Sequence, residues 1–462
     1  MKLIQSKKAN INYLAKVVNI NTFTPHPNPE VTKLKCAHVD GFNIIVGIDE
    51  KPGIYIYFPT SSQINDKLLS YANLYRHTDK NNNPEKSGFF EDNGRVKAIK
   101  LKGLVSEGFL LPYDILSNFI VSSTNKELDQ IYDGIEFDSV EDNGKEFWIC
   151  KKYIIKSTQQ HGASVKAKQP KGISKIVENQ FRFHYETCQY KRNPYFIKPD
   201  DYIHISSKIH GTSHISANVI CQFRRSWFKK FLINIYNLFT RDDVDANVYQ
   251  QYDNLYASRT VVKNAYPNQD AGGYYKCNVW GEADKVLRPM LQKGMTIYAE
   301  IVGFLPDGNY IQKNYDYGCI RPESNETYTH EKHFKVRVYR ITLTNIDGQV
   351  HEFSPREVQI WCNNNGLVPV TELYYGKAKD LYKDIDPNAP NWNEQFIDHL
   401  ANDKNFYMEL NSPDCVNKVP HEGIVLKVDN MIPAACKLKT FAFLSGEQVE
   451  LDKGIENIED NA

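Results

Sequence analysis

The sequence has no charge excess of either sign: Lys and Arg together number 56, and so do Asp and Glu. A global field that would draw in nucleic acid is therefore excluded, and any such surface must be local. Nine cysteines lie scattered at 36, 150, 188, 221, 277, 319, 362, 415 and 436, none paired at C-x-x-C spacing. The odd count and this scatter argue against a disulfide framework and against a structural zinc site, and suit a reducing cytoplasm. No run approaches the ~18 apolar residues of a membrane span, and the start, MKLIQSKKANINYLAK, lacks the apolar centre of a secretory signal. There is no internal repeat and no low-complexity domain. The expectation is a soluble cytoplasmic protein with no membrane partner and no evident obligatory protein partner.

What is present is ordinary folding material. The 462 residues suffice for two or three domains with sizeable cores. Hydrophobic residues at 41% and charged ones at 24% are usual for a globular chain. The 29 tyrosines and 23 phenylalanines serve equally as core and as stacking surface.

Residues 1–160 read as a β-rich domain. Asn12–Ile20, Leu34–Val39, Phe42–Val46, Ile54–Phe58, Val96–Leu101 and Phe109–Leu111 are short β-branched or aromatic runs between turn residues. This many strands in about 100 residues predicts a small barrel of the OB type. The segment HPNPEVTKLKCAHVDGFNIIVG resembles the opening of tRNA-binding OB modules. Arg76–Arg95 reads as a polar, solvated loop whose cations can also meet phosphates. Residues 161–172, HGASVKAKQPKG, hold almost no large apolar side chain and read as an interdomain linker. A second domain spans 173–445, and the acidic residues 446–462 read as a frayed tail. Within it, the stretch from Gln222 to Tyr252 reads as an insertion containing an amphipathic helix. Two uses are open for that helix: lying along nucleic acid, or packing with a solvated basic edge.

The chemistry gathers around one stretch, Tyr202-Ile-His-Ile-Ser-Ser-Lys-Ile-His-Gly-Thr-Ser213. An alternating strand ends near Lys208, and Gly211 lets backbone or phosphate approach closely. Six further pieces follow in order. The first five are YASRT with Arg259, IYAEIVG with Glu300, IQKNYDYG (311–318), the strand Phe334–Ile341 carrying Tyr339, and HEGIVLK with Glu422 and Lys427. The series closes with ACKLK, where period-2 alternation puts Lys437 and Lys439 on one face.

Together these pieces resemble the covalent nucleotidyltransferases, and within them the RNA ligase 2 class of RNA ligases. The segment K-I-H-G-T at 208–212 matches that class rather than the wider K-x-D-G pattern, and the likeness runs over roughly residues 200–442. The resemblance implies an α+β protein whose ligase domain is adenylyltransferase-like, with two antiparallel sheets and flanking helices in an ATP-grasp-like arrangement. It implies that Lys208 is the adenylylated nucleophile and that Arg259 and Glu300 contact the nucleotide and its ribose. Tyr339 stands where the class has a stacking Phe. Glu422 stands for a metal-binding carboxylate, and Lys437 and Lys439 for the phosphate-binding pair. His210, Gly211 and Lys427 match positions around the nucleotide. The cofactors implied are ATP and Mg²⁺ or Mn²⁺, and the partner is RNA, held at a duplex or RNA/DNA hybrid nick.

Elementary chemistry runs the same way. A free lysine with pKa about 10.4 is protonated at neutral pH and cannot attack phosphorus. Neighbouring cations or a metal disfavour that charged form, and phosphoryl transfer otherwise needs positioning and charge neutralisation. About twenty residues follow Phe443, too few for the OB domain that DNA ligases and capping enzymes carry there. A preceding OB module is similar to the Deinococcus-type RNA ligases. The reading is an ATP-dependent RNA ligase that joins 5′-phosphate to 3′-hydroxyl ends through a lysyl-AMP intermediate. Two alternatives remain: a GTP-dependent capping guanylyltransferase, and a catalytically inactive RNA-binding protein.

Overall fold

Two sheets carry the second half of the chain, and the nucleophile candidate lies where one passes into the other. The computed structural model describes residues 1–155, 172–240, 244–267, 269, 275–430 and 434–454. The first sheet runs in the order Cys188–Gln189, Ala434–Lys439, Gly423–Val428, Tyr202–Ser207 and Glu372–Lys377. All its ladders are antiparallel except the short one between Cys188–Gln189 and Ala434–Lys439. The second runs Val248–Ala257, Thr212–Arg224, Met295–Gly303, Phe334–Thr344 and Val350–Glu352, all antiparallel, with Val368–Pro369 added in parallel.

The patterning explains both sheets. Phe334, Val336, Val338 and Ile341 are buried, while Lys335 and Arg337 between them are less so. That is the alternation of a strand with one face on a core. Helix Val279–Leu287 drops Trp280, Ala283 and Leu287 onto Ile297 and Val336; its first turn is capped by Asn278, which accepts from the Gly281 amide at 2.9 Å. Helix Trp392–Asn402 covers the other sheet, setting Trp392 and Phe396 against Ile203, Ile205 and Leu426. Full burial of each such side chain contributes about 1.5–3 kcal/mol.

The N-terminal residues are β-rich, as the short runs predicted, but among the described residues their strands do not close into one barrel. The central sheet runs Phe109–Pro112, Gly53–Phe58, Ala15–Ile20 and Glu136–Phe137. Its two faces belong to different cores. Val17, Ile56 and Leu111 meet a helix, Tyr113–Thr124, through Leu116 and Ile120; Val18, Tyr55 and Leu110 meet Phe42 and Ile44.

Two other expectations change. Arg76–Arg95 is not simply solvated: Tyr75 and Phe90 are core residues, Asn81 is buried, and Arg95 is 2% exposed. Residues 446–452 are not frayed but belong to the helix Phe441–Asp452, capped by Thr440. Asp452 pairs with Arg95 at 2.5 Å and Lys97 at 2.9 Å, which ties the last helix to the N-terminal half. The linker reading at 161–171 and the rest of the tail at 455–462 lie outside the described residues.

Candidate active site

Lys208 leaves the end of the Tyr202–Ser207 strand, and its amide donates to the Gly423 carbonyl at 2.8 Å. The next strand begins at Thr212, so the loop 208–211 joins the two sheets. Gly211 is required by closeness: a Cβ there would sit 2.4 Å from the Ile301 carbonyl oxygen and 2.7 Å from Glu300 Cγ. The loop is thereby pressed against the strand that carries Glu300, which lies opposite Ser213. Gly423 has the left-handed φ of +137°, with the Leu438 carbonyl in the place of any side chain.

The IQKNYDYG segment holds this loop from the far side. Gln312 donates to the Gly211 carbonyl at 2.6 Å, and the Tyr317 hydroxyl accepts from the His210 amide and donates to its carbonyl, at 3.0 and 2.7 Å. Tyr315 donates to the Pro420 carbonyl at 3.0 Å, two residues before Glu422. The motif is thus a scaffold for the reactive loop rather than a wall of the site.

A cavity of about 230 Å³ opens beside Lys208. Of the residues singled out from sequence, Lys208, Arg259, Glu300, Tyr339, Lys427, Lys437 and Lys439 line it. Glu422 sits behind the lysine, 1% exposed, with Oε1 2.6 Å from Lys208 Nζ and 3.4 Å from Lys439 Nζ. Burial alone would raise its carboxyl, but Lys208, Lys439 and His210 outweigh burial and hold it well below the usual range. It is therefore an ionised group facing cations. His210 and Gly211 do not line the cavity. The His210 ring packs edge-on against Tyr315 and Phe443, with Nδ1 3.5 Å from Glu422. It positions the carboxylate.

Tyr339 presents its ring to the cavity and meets His184 edge-on at 5.2 Å. Burial, and after it the neighbouring Glu300, pushes the phenol up, so it stays neutral. Lys427 donates to the Tyr339 carbonyl at 2.9 Å and lies 3.8 Å from Glu352. Burial pulls its ammonium down to about 8.

Two acidic groups escaped sequence reasoning. Glu186 bridges Arg259 at 2.6 Å and Lys437 at 3.0 Å. Glu447 pairs with Lys439 at 3.2 Å and lines the cavity, although it stood in the supposed tail. No motif marks Glu186: it lies in an irregular stretch whose partners come from the bend after Val248–Ala257 and from the strand Ala434–Lys439. Burial raises the Glu186 carboxyl, but Lys437 and Arg259 more than offset this and bring it to about 2. Its folded value lies below the ordinary 4.5, so its contribution to stability is complete above pH 4.5 and disappears as pH falls towards 2. Denaturant titrations of wild type and Glu186→Gln should therefore differ most near neutrality and converge in that acid window. A pH-independent difference would rule out the ion triad.

Ser207 links the two halves of the centre. Its hydroxyl donates to Asp414 at 2.5 Å and lies 3.0 Å from His421 Nε2, so the residues preceding Lys208 and Glu422 are bolted together. Ser207 is 1% exposed and His421 fully buried. Ser207→Ala is expected to cost about 1–2 kcal/mol, because it leaves the buried His421 Nε2 without this partner and takes one of two hydroxyl donors, Ser207 and Thr371, from Asp414. A shift of the urea midpoint at constant slope measures it.

No family model matches the chain, and no curated protein matches it in sequence. Solved structures do match. A Naegleria gruberi RNA ligase mutant with ATP and Mn aligns over 95% of this chain and 99% of its own, with 16% identity and a TM-score of 0.52. The same ligase with PPi aligns over 95% and 99%, at 15% identity and TM-score 0.51. What is shared is the fold. At this identity the likeness extends over nearly the whole chain, N-terminal half included, while the chemistry has to be argued from the cavity.

Proposed function

We propose that the chain is an ATP-dependent RNA ligase that works through a lysyl-AMP intermediate. The observation that carries this reading is one lysine, Lys208, at the edge of a cavity walled by Arg259, Lys437, Lys439 and Glu300 and backed by the ionised Glu422. Such a cavity suits a polyphosphate next to a sugar. The likeness to a ligase solved with ATP and with PPi supports it.

In the first step the Lys208 amine, having lost its proton, attacks the α-phosphorus. A P–N bond forms, the bond to the β-phosphate oxygen breaks, and pyrophosphate leaves. A 5′-phosphate oxygen of RNA then attacks the same phosphorus and displaces the lysine. Last, a 3′-hydroxyl attacks the activated 5′-phosphate, and AMP departs. Arg259, Lys437 and Lys439 neutralise phosphate charge, and Tyr339 offers a face for the base.

The donor set fits Mg²⁺ or Mn²⁺. Among the described residues no three His, Cys, Asp or Glu side chains gather as a metal cage. A single buried carboxylate, Glu422, beside a phosphate-binding cavity is what suits a cation that completes its shell with phosphate oxygens and water. Such an ion, when bound, supplies charge neutralisation on the phosphates.

In this reading the domains divide at 1–160, 161–172 and 173–445. The N-terminal domain is an OB-like nucleic-acid binder that grips a duplex or bridged nick, the module order of the Deinococcus-type ligases. Phe42, Lys152 and Tyr153 of that part reach the cavity wall, which supports a shared substrate path. The test is incubation with Mg²⁺ and α-labelled ATP or GTP, followed by nicked duplex RNA. Labelling by ATP and release of label on sealing are expected. Labelling by GTP instead points to capping chemistry, and no adduct with either points to an inactive RNA binder.

A further inference from the structure

The helix Trp227–Phe239, WFKKFLINIYNLF, interrupts the long hairpin between Thr212–Arg224 and Val248–Ala257. None of its residues is buried. At 100° per residue, Trp227, Leu238, Phe231, Ile235, Phe228, Phe239 and Leu232 fall within one arc of about 140°. The two half-buried helix positions, Ile233 and Asn237, lie on the opposite side. On that side Asn237 donates to the Val244 carbonyl at 2.8 Å. The helix is therefore turned the reverse way from an ordinary surface helix, which buries its apolar stripe. Trp227 and Leu238 are 81% exposed and Phe239 is 85% exposed.

We propose that this face docks on an anionic lipid surface, lying in the plane of the interface. Charge and shape choose this occupant. From Arg224 to Thr240 there are four cations, Arg224, Arg225, Lys229 and Lys230, and no acid. Lys229 and Lys230 lie about 60° beyond the two ends of the apolar arc, from where their long side chains reach headgroups while Trp, Phe and Leu enter the acyl boundary. A second helix covers only a narrow seam, whereas a flat interface covers an arc this wide. A nucleic acid needs cations interleaved with the aromatic rings on the contacting face, and here the arc itself carries none. The helix is about 20 Å long, too short to cross a bilayer but ample to lie on one. The absence of any apolar run long enough to span is thus no bar to such contact. The helix also leaves the sheet at its Arg224 end. Along that strand this is about 40 Å from Thr212 and the cavity, so a docked protein keeps its cavity open.

The test uses the full chain and two vesicle types, phosphatidylcholine alone and phosphatidylcholine mixed with phosphatidylglycerol, in a flotation assay with and without added salt. Wild type is expected to float with the mixed vesicles, less so with high salt, and with a blue shift of tryptophan emission. The variant F231D/L238D should lose at least about tenfold in partitioning. Because both side chains are exposed, the variant should keep its fold and its labelling by ATP. Lys229→Glu with Lys230→Glu should lose the preference for anionic vesicles. Failure of wild type to float, or equal flotation of the variant, overturns the proposal. So does a wild-type dimer that F231D/L238D converts to monomer, since the occupant is then a second copy. An RNA mobility shift lost in the variant without any vesicle binding overturns it in favour of RNA.

Discussion

Lys208→Ala is expected to remove all covalent labelling by α-labelled ATP, a loss of at least about a thousandfold in rate, while nucleotide still binds. Six lysines line the cavity, and among the four that belong to the motifs Lys208 has a distinct setting. It stands on a loop whose backbone is held by Gly423 on one side, while Gln312 and Tyr317 clamp Gly211 and His210 on the other. Lys427 is anchored to the Tyr339 carbonyl, and Lys437 and Lys439 are engaged with Glu186 and Glu447. Lys208 is itself paired with Glu422 at 2.6 Å, so what sets it apart is its place on the clamped loop between the sheets, whereas the other three project from within strands. The adduct should survive alkali and be cleaved by acid, as a P–N bond is. Lys437→Ala and Lys439→Ala should slow labelling yet leave it measurable. Should Lys208→Ala retain label, the nucleophile lies elsewhere and the whole assignment of roles fails.

How much of this was readable in the residues depends on how local each signal is. That Lys437 and Lys439 share a face was legible because they are two apart on a strand, and both do line the cavity. Glu300 and Tyr339 were legible only through the motifs around them: the Glu300 strand is buried along nearly its whole length, and the other strand loses its period-2 alternation at Tyr339. Glu186 was not. It belongs to no periodic segment, and its partners Arg259 and Lys437 are placed by tertiary packing alone. The N-terminal strands were found close to their observed positions, yet strand positions do not say whether a sheet closes. The missing term was how the strands group: they divide over several short sheets, which no periodicity reports. The acidic end of the chain looked unstructured by composition. Its helix is instead stabilised from outside, by a Thr440 cap and by Arg95 and Lys97 from the other end of the sequence. The helix Trp227–Phe239 was legible as a helix, but which way its apolar arc faced was not.

Glu422→Gln is expected to separate two contributions of one carboxylate. The substitution keeps the side chain's volume and removes its charge. Lys208 and Lys439, at 2.6 and 3.4 Å, then face each other with no anion between them. Loss of one member of a buried ionic cluster costs about 3–5 kcal/mol, because the remaining charges stay desolvated. Both lysines keep some exposure, 18% and 14%, so solvent screens part of that and the lower end of the range is the expectation. The second contribution is chemical. With the buried carboxylate behind Lys208 gone, labelling by ATP should fall by at least about a hundredfold and lose its dependence on Mg²⁺ concentration. The two effects are separable by a double-mutant cycle. Lys208→Met removes one cation, and if the ion pair is real, the pair of substitutions together should destabilise less than their sum, by about 1–3 kcal/mol. Additivity within error would mean that Glu422 and Lys208 are neighbours without being coupled. Glu422 would then act on the phosphates alone, and the ionic latch on the nucleophile would have to be abandoned.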